Sequence, residues 1–72
     1  MVEITIEGLT PVEAVEIVKK LIAEGLEQDL DFEWAYHKPV YDDIGYNLIL
    51  ERRTVFKFFK DETATWFALR YQ

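Results

Sequence analysis

The sequence predicts a single α+β domain over residues 1–72, in which one antiparallel sheet packs one face on a single helix. Two observations predict this fold class. The stretch TPVEAVEIVKKLIAEG, from Thr10 to Gly25, has helix signals at its start, middle and end, and the segments on both sides of it alternate as strands do. Only the connection through this helix is long enough to cross over. The expected order is therefore β-α-β-β-β-β with antiparallel neighbours.

The helix is expected to run from Pro11 to Glu24. The Thr10 side chain can accept a hydrogen bond from the Glu13 amide while Glu13 reaches back, and proline at the first helical position loses no bond. Gly25 can take the left-handed conformation that ends a helix, with Leu26 folding back over the last turn. At about 100° per residue the apolar side chains share one arc expected to face the core. They are Ala14, Val15, Ile17, Val18, Leu21 and Ile22.

Two segments alternate apolar and polar residues with the period of a half-buried strand. The first runs from Val2 to Glu7. The second runs from Asp29 to Lys38 and ends before Pro39, because proline cannot donate to a strand ladder. In the second segment one side is acidic and the other is expected to be buried. The buried side consists of Leu30, Phe32, Trp34 and Tyr36.

Three further strands are predicted in the C-terminal half, after turn formers at residues 39–45. They run from Tyr46 to Glu51, from Thr54 to Phe59 and from Ala64 to Tyr71, and residues 60–63 form a hairpin connection. The last assignment depends on the β-favouring threonine, tryptophan, phenylalanine and tyrosine content. The resulting order resembles a cystatin-like sheet wrapped on a helix, and it also resembles half of a ferredoxin-like unit with hairpins appended.

Composition restricts the classes of function. The chain has no cysteine and no serine, and its one histidine, His37, excludes a multi-histidine metal site within one chain. No phosphate-binding loop, dinucleotide-binding or zinc-protease motif occurs. We therefore expect a protein that is not an enzyme and that uses no cofactor and no metal. No signal peptide and no membrane-spanning apolar run is evident, so a cytoplasmic location is expected.

The net charge of −6 is unevenly distributed along the chain. Residues 1–36 carry nine acids and two lysines, which gives −7, whereas residues 37–72 carry five acids and six bases, which gives +1. This distribution disfavours a general nucleic-acid binder and favours a protein partner with a basic surface. Five phenylalanines, four tyrosines and two tryptophans are many for a chain with so little interior, so a homodimer is also expected.

Three carboxylates define the leading candidate site. On the predicted second strand, Asp29, Asp31 and Glu33 point outward at intervals of about 7 Å, similar to the spacing of phosphates along a nucleic-acid strand. The helix residues that would extend this acidic field are Glu13, Glu16 and Glu24. The pattern indicates a small acidic interaction or inhibitory module, similar in size and charge to phage inhibitor and DNA-mimic proteins. The alternatives are a divalent-cation site and a solvated outer face.

A second interpretation uses the basic C-terminal half. Cations and aromatic side chains alternate there, as they do on sheets that stack bases and neutralise the phosphates of single-stranded nucleic acid. The residues expected to carry such a site are Lys57, Lys60, Arg70 and an outward-facing Phe59. The acidic second strand would lie in the same sheet and repel this ligand, so nucleic acid is the alternative and not the leading prediction.

His37 is the basis of a third, enzymatic interpretation. The following turn could bring Asp42 or Asp43 to the imidazole and orient it as a general base. Aspartates are also favoured in turns because their side chains bond the local backbone, and a histidine at a strand end is usually solvated. We therefore expect His37 to have no catalytic role.

Overall fold

The structure is a computed structural model that describes residues 1–45 and 47–71. Its α+β class agrees with the sequence, although these residues form two helices and not one. The predicted strand start at Tyr46 lies outside the described residues. Neither described helix is long and apolar enough to cross a membrane. The elements, in chain order, are β1 (Val2–Glu7), α1 (Pro11–Ala23), β2 (Phe32–His37), β3 (Val40–Tyr41), β4 (Leu48–Leu50), β5 (Arg53–Phe58) and α2 (Asp61–Tyr71).

β5 is the central strand of a three-stranded antiparallel sheet with the order β1-β5-β2. Both β1 and β2 run antiparallel to β5, so they are parallel to each other and α1 connects them as a split β-α-β unit. This part agrees with the ferredoxin-like comparison. β3 and β4 form a separate two-stranded sheet, so the described strands do not make the single wrapped sheet of the cystatin-like comparison.

The core lies between one face of the three-stranded sheet and the two helices. Its centre is an aromatic cluster, in which the Phe67 ring of α2 lies 4.9 Å from the Phe56 ring and 4.8 Å from the Phe58 ring. Phe32 of β2 is also fully buried there. The remaining members of the buried cluster are Ile4, Ile17, Val18, Leu21 and Ala64. The opposite face of the sheet is left open.

Local signals determine both ends of α1. The Glu13 amide donates to Thr10 Oγ1 at 3.2 Å, and the Thr10 amide donates to Glu13 Oε1 at 3.1 Å, which confirms the capping box. Gly25 has a φ of 99°, and Leu26 N–H donates to the Leu21 carbonyl at 3.1 Å, as the predicted helix end requires. The helix stops at Ala23, with Glu24 as the cap. The buried arc is narrower than expected, because two of its predicted members are exposed: Val15 and Ile22.

The prediction of a strand from Ala64 to Tyr71 is wrong, because this segment belongs to α2. Its residues follow a helical spacing of i, i+3, i+4 and i+7 toward the core, at Ala64, Phe67, Ala68 and Tyr71. Two acids in the first turn suit the positive end of the helix dipole. Burial of Phe67 between rings of β5 outweighs the β propensity of the threonine and aromatic residues.

The prediction that the second strand begins at Asp29 is also wrong, because β2 begins at Phe32. Asp29 has a φ of 71°, and its amide donates to the Phe32 carbonyl at 2.7 Å. Asp31 Oδ2 accepts from the Glu27 amide at 2.8 Å, so a side chain closes the turn. Leu30, expected to face inward, is 70 % exposed as a result.

Candidate interaction surface

The six acidic residues predicted to bind a partner do not form one surface. Glu33 lies on the open face of the sheet, whereas Glu16 lies on α1, which packs on the opposite face. Asp29 and Asp31 belong to the turn before β2, so the evenly spaced row of three carboxylates is absent from the described structure. The spacing expected to imitate nucleic-acid phosphates therefore has no structural basis.

The other predicted acids have local structural roles. Glu13 belongs to the capping box, and the hydrogen bonds from the Thr10 backbone and side chain lower the pKa of this exposed carboxyl below its usual value. Glu24 Oε1 lies 3.4 Å from Arg70 Nη1, in an ion pair that joins the C-terminal ends of the two helices. Both carboxylates therefore interact with other residues of this protein.

The residues of the predicted nucleic-acid site are also dispersed. Lys57 lies on the open face of the sheet, but Arg70 lies on α2, with its guanidinium 5.4 Å from the centre of the Trp66 ring. Lys60 precedes α2 and is exposed, and Phe59 follows β5 and is partly buried. These cations were expected to lie on one sheet. Because the last predicted strand is a helix, Arg70 lies on α2 and not beside Lys57.

The open face of the sheet consists of three cross-strand rows with the central strand β5 in the middle. One outer row is Glu3, Lys57 and Glu33, the other is Glu7, Arg53 and His37, and a row of small residues separates them: Thr5, Val55 and Ala35. The rows surround a shallow depression of about 410 Å³. Both signs of charge alternate across the face, so it has no single-sign field to attract a charged ligand.

His37 lies opposite Arg53 on this face, so its nearest cross-strand neighbour is a cation. Asp42, the expected orienting group, instead holds its own turn, where its oxygens accept from the Gly45 amide at 2.8 Å and from Asn47 Nδ2 at 2.7 Å. A general base needs an acceptor that orients the imidazole. The hydrogen bonds described for Asp42, one of the two aspartates considered beside His37, are made within its own turn.

The hairpin of β3 and β4, here called the arm (residues 40–50), is the most distinctive surface. Large apolar side chains project from both of its faces and remain between 43 % and 71 % exposed. They are Val40, Tyr41, Ile44, Leu48, Ile49 and Leu50. The sequence interpretation missed the arm, because it assigned residues 39–45 to a turn and the next strand to the main sheet. The run of three large apolar residues in β4 was the available signal.

The arm makes the chain elongated, with extents of 44 × 21 × 21 Å. The radius of gyration is 13.6 Å. A compact domain of this length is expected to have a radius of about 11 Å. In the turn of the arm, Gly45 has a φ of 81° and its amide donates to Asp42 at 2.8 Å. Residues 40–50 contain two carboxylates, Asp42 and Asp43, and no cation. The arm is therefore both apolar and acidic.

Comparison with known protein families, curated proteins and solved structures finds no match to this chain. In the described parts of the chain, no group of three or more His, Asp or Glu side chains is placed to hold a metal ion. The functional conclusion therefore depends on the surfaces described above, and among them the arm is the surface whose exposure most needs an explanation.

Proposed function

We propose that this protein is a non-enzymatic interaction module that inserts its arm into an apolar groove on a partner protein. The exposure of six large apolar side chains on the arm carries this proposal. An isolated two-stranded hairpin is marginally stable in water, and soluble monomers rarely leave contiguous apolar surface uncovered. A groove that covers the arm would remove this apolar area from water and stabilise the hairpin at the same time.

The charge of the arm indicates the chemistry of the partner. Asp42 and Asp43 lie between the apolar residues of the arm in the sequence, and residues 40–50 contain no cation. Glu51 follows the arm and pairs with Arg52 at 3.9 Å. A groove with a basic rim complements this pattern, and the net charge of −6 would raise the rate of encounter with it. By occupying such a groove the protein would exclude other ligands of the partner, which is how it would act as an inhibitor.

A second copy of this chain is a less suitable occupant than a basic partner. Packing one arm on another would bring two carboxylates from each copy together with no cation from either arm. Like charges in contact are unfavourable, and most of all where water is excluded. The homodimer expected from the aromatic content stays a prediction, which light scattering on the free protein would test.

The test compares a charge introduced into the arm with the same charge introduced elsewhere. Ile49→Glu changes a residue that is 61 % exposed, and Leu69→Glu changes an 82 % exposed residue of α2. Both variants should fold, because neither side chain belongs to the core. Partners captured from host lysate by the wild type should be retained by Leu69→Glu and lost by Ile49→Glu.

Two further readouts assign the captured partner to the arm. Hydrogen exchange of residues 40–50 should slow in the purified complex, because burial protects amides that open locally in the free protein. Binding should also weaken as salt rises, since the steering charges are exposed. Equal capture by Ile49→Glu and the wild type, or unprotected arm amides in the complex, would reject the proposal.

A further inference from the structure

β1 is an edge strand of the sheet, and α2 packs beside its open edge. Among the described strands β1 has one neighbour, β5, so one side of β1 can accept another strand. Below that side, β1 and α2 line a groove of about 380 Å³. Its lining is Val2, Ile4, Asp61, Ala64, Thr65 and Ala68. Apolar side chains of an added strand would therefore have a surface on which to pack.

The other edge of the sheet is partly occupied. Gln28 forms a bridge to Phe32 at the start of β2, which places the preceding turn against that edge. Pro39 lies two residues after the end of the strand and has no amide hydrogen to offer. The described structure thus makes β1 the better edge for strand addition.

The charges on β1 indicate which kind of strand can pair with its open edge. Glu3 and Glu7 are exposed on the open face, and they are about 13 Å apart along the strand. On the side of β5, Lys57 lies opposite Glu3 and Arg53 lies opposite Glu7. The ion pairs within 4 Å among the described residues are Arg52–Glu51 and Arg70–Glu24, so Glu3 and Glu7 can face cations on their other side.

We propose that the open edge of β1 binds an extended basic segment of a partner protein by strand addition. The segment has Lys or Arg at positions i and i+4, which face Glu7 and Glu3. It has β-branched apolar residues at i+3 and i+5, which lie opposite Ile4 and Val2 and cover the groove beside α2. β5 already presents this charge pattern to β1 from within the sheet, with Arg53 and Lys57 four residues apart. Main-chain hydrogen bonds supply affinity, and the alternating side chains supply specificity.

A second copy of β1 does not fit this edge. In the antiparallel register centred on Thr5, Glu3 of each copy lies opposite Glu7 of the other, and in the register centred on Ile4 each Glu3 lies opposite Thr5, so neither register offers these glutamates a cation. Like charges directly opposite each other on neighbouring strands are destabilising. The charge pattern therefore favours a basic segment over self-pairing.

The probe is a fluorescein-labelled peptide, Lys-Val-Thr-Val-Lys-Val-Thr, titrated with the full chain at low salt. The Glu3→Gln/Glu7→Gln variant should weaken binding about tenfold or more, because both facing carboxylates are lost. The matched control, Glu16→Gln/Glu27→Gln, makes the same change in net charge away from this edge and should bind as the wild type does. A peptide with glutamate in place of each lysine should not bind.

Strand addition is separated from loose electrostatic binding by two measurements. N-methylation of the amides that face β1 should abolish binding, and the bound peptide should slow hydrogen exchange at residues 2–7. Equal binding of the N-methylated peptide, or an unchanged affinity of the Glu3→Gln/Glu7→Gln variant, would overturn the inference. The proposal for the arm is tested separately, with Ile49→Glu on a different surface. Either proposal can therefore be rejected without affecting the other.

Discussion

The guanidinium of Arg70 lies 3.4 Å from the carboxylate of Glu24, measured from Nη1 to Oε1, and this pair joins α2 to the end of α1. The two residues were expected in rival binding sites, one basic and one acidic. Both belong to the same helix–helix contact, in which Arg70 also lies over Trp66. Their charges partly neutralise each other at the protein surface.

Replacing Glu24 with glutamine should have little effect on stability. The Arg70 and Glu24 side chains are 50 % and 49 % exposed, so water screens the pair and we expect a loss of about 0.5 kcal/mol or less. The measurement is urea denaturation at low and high salt, where the difference should vanish at high salt. A loss that is larger and independent of salt would show that the pair is shielded from water.

Replacing Phe67 with alanine should destabilise the domain by about 3–5 kcal/mol, because the ring is fully buried against Phe56 and Phe58. Leu69→Ala is the control, since that side chain is 82 % exposed and its loss should change stability by less than about 0.5 kcal/mol. In a strand, residues 67 and 69 would share a face, whereas in α2 they do not. Similar losses for both variants, measured by urea denaturation, would contradict the helix.

Replacing Thr54 with valine should stabilise the protein. The Thr54 hydroxyl is buried with no hydrogen-bond partner among the described residues, opposite Ile6 and Tyr36 in the sheet. Removing this desolvated hydroxyl should add about 1 kcal/mol, which thermal denaturation would detect as a rise in Tm of about 4–8 °C. Thr63→Val, in the first turn of α2, is a control for the change of residue type. A lower Tm for Thr54→Val would mean that the hydroxyl is hydrogen-bonded.

The capping box should make stability depend on pH. Hydrogen bonds from Thr10 lower the pKa of the Glu13 carboxyl in the folded protein below its ordinary value of 4.5. The ionised carboxylate therefore stabilises the fold fully above the ordinary pKa, and this contribution is lost as the pH falls through the lowered pKa. Glu13→Gln should be less stable than the wild type at neutral pH, and the difference should shrink in acid. Urea midpoints from pH 7 to pH 3 test this, with Glu16→Gln as the matched control.

Replacing Thr10 with alanine removes the other half of the box. We expect a loss of about 1 kcal/mol at neutral pH, because an orphan amide of the first turn loses its acceptor. The stability of the Thr10→Ala variant should also depend less on the protonation of Glu13, since the side-chain and backbone hydrogen bonds depend on the same cap geometry. An unchanged pH profile would mean that the Glu13 carboxylate is stabilised from elsewhere.

Elements with local signals could be predicted from the amino-acid sequence. Thr10, Glu13, Gly25 and Leu26 contact residues within a few positions of themselves, so their spacing predicts both ends of α1 without knowledge of the rest of the chain. The alternation in β1 likewise predicts which of its faces is buried, because strand geometry alone sends successive side chains to opposite sides. These features were predicted correctly.

Features that depend on contacts between distant residues could not be predicted in the same way. Phe67 makes its segment helical by packing between rings of β5, and β2 begins only at Phe32 because the amide and the side chain of Asp31 both bond Glu27 in the preceding turn. The two candidate surfaces also depend on distant contacts. The side chains of the arm are exposed because they do not belong to the buried core, and a groove lies beside the edge of β1 because α2 packs there. Whether a side chain is exposed, and which side chains lie together, depends on residues far apart in the chain. The local spacing of residues in the sequence does not contain this information.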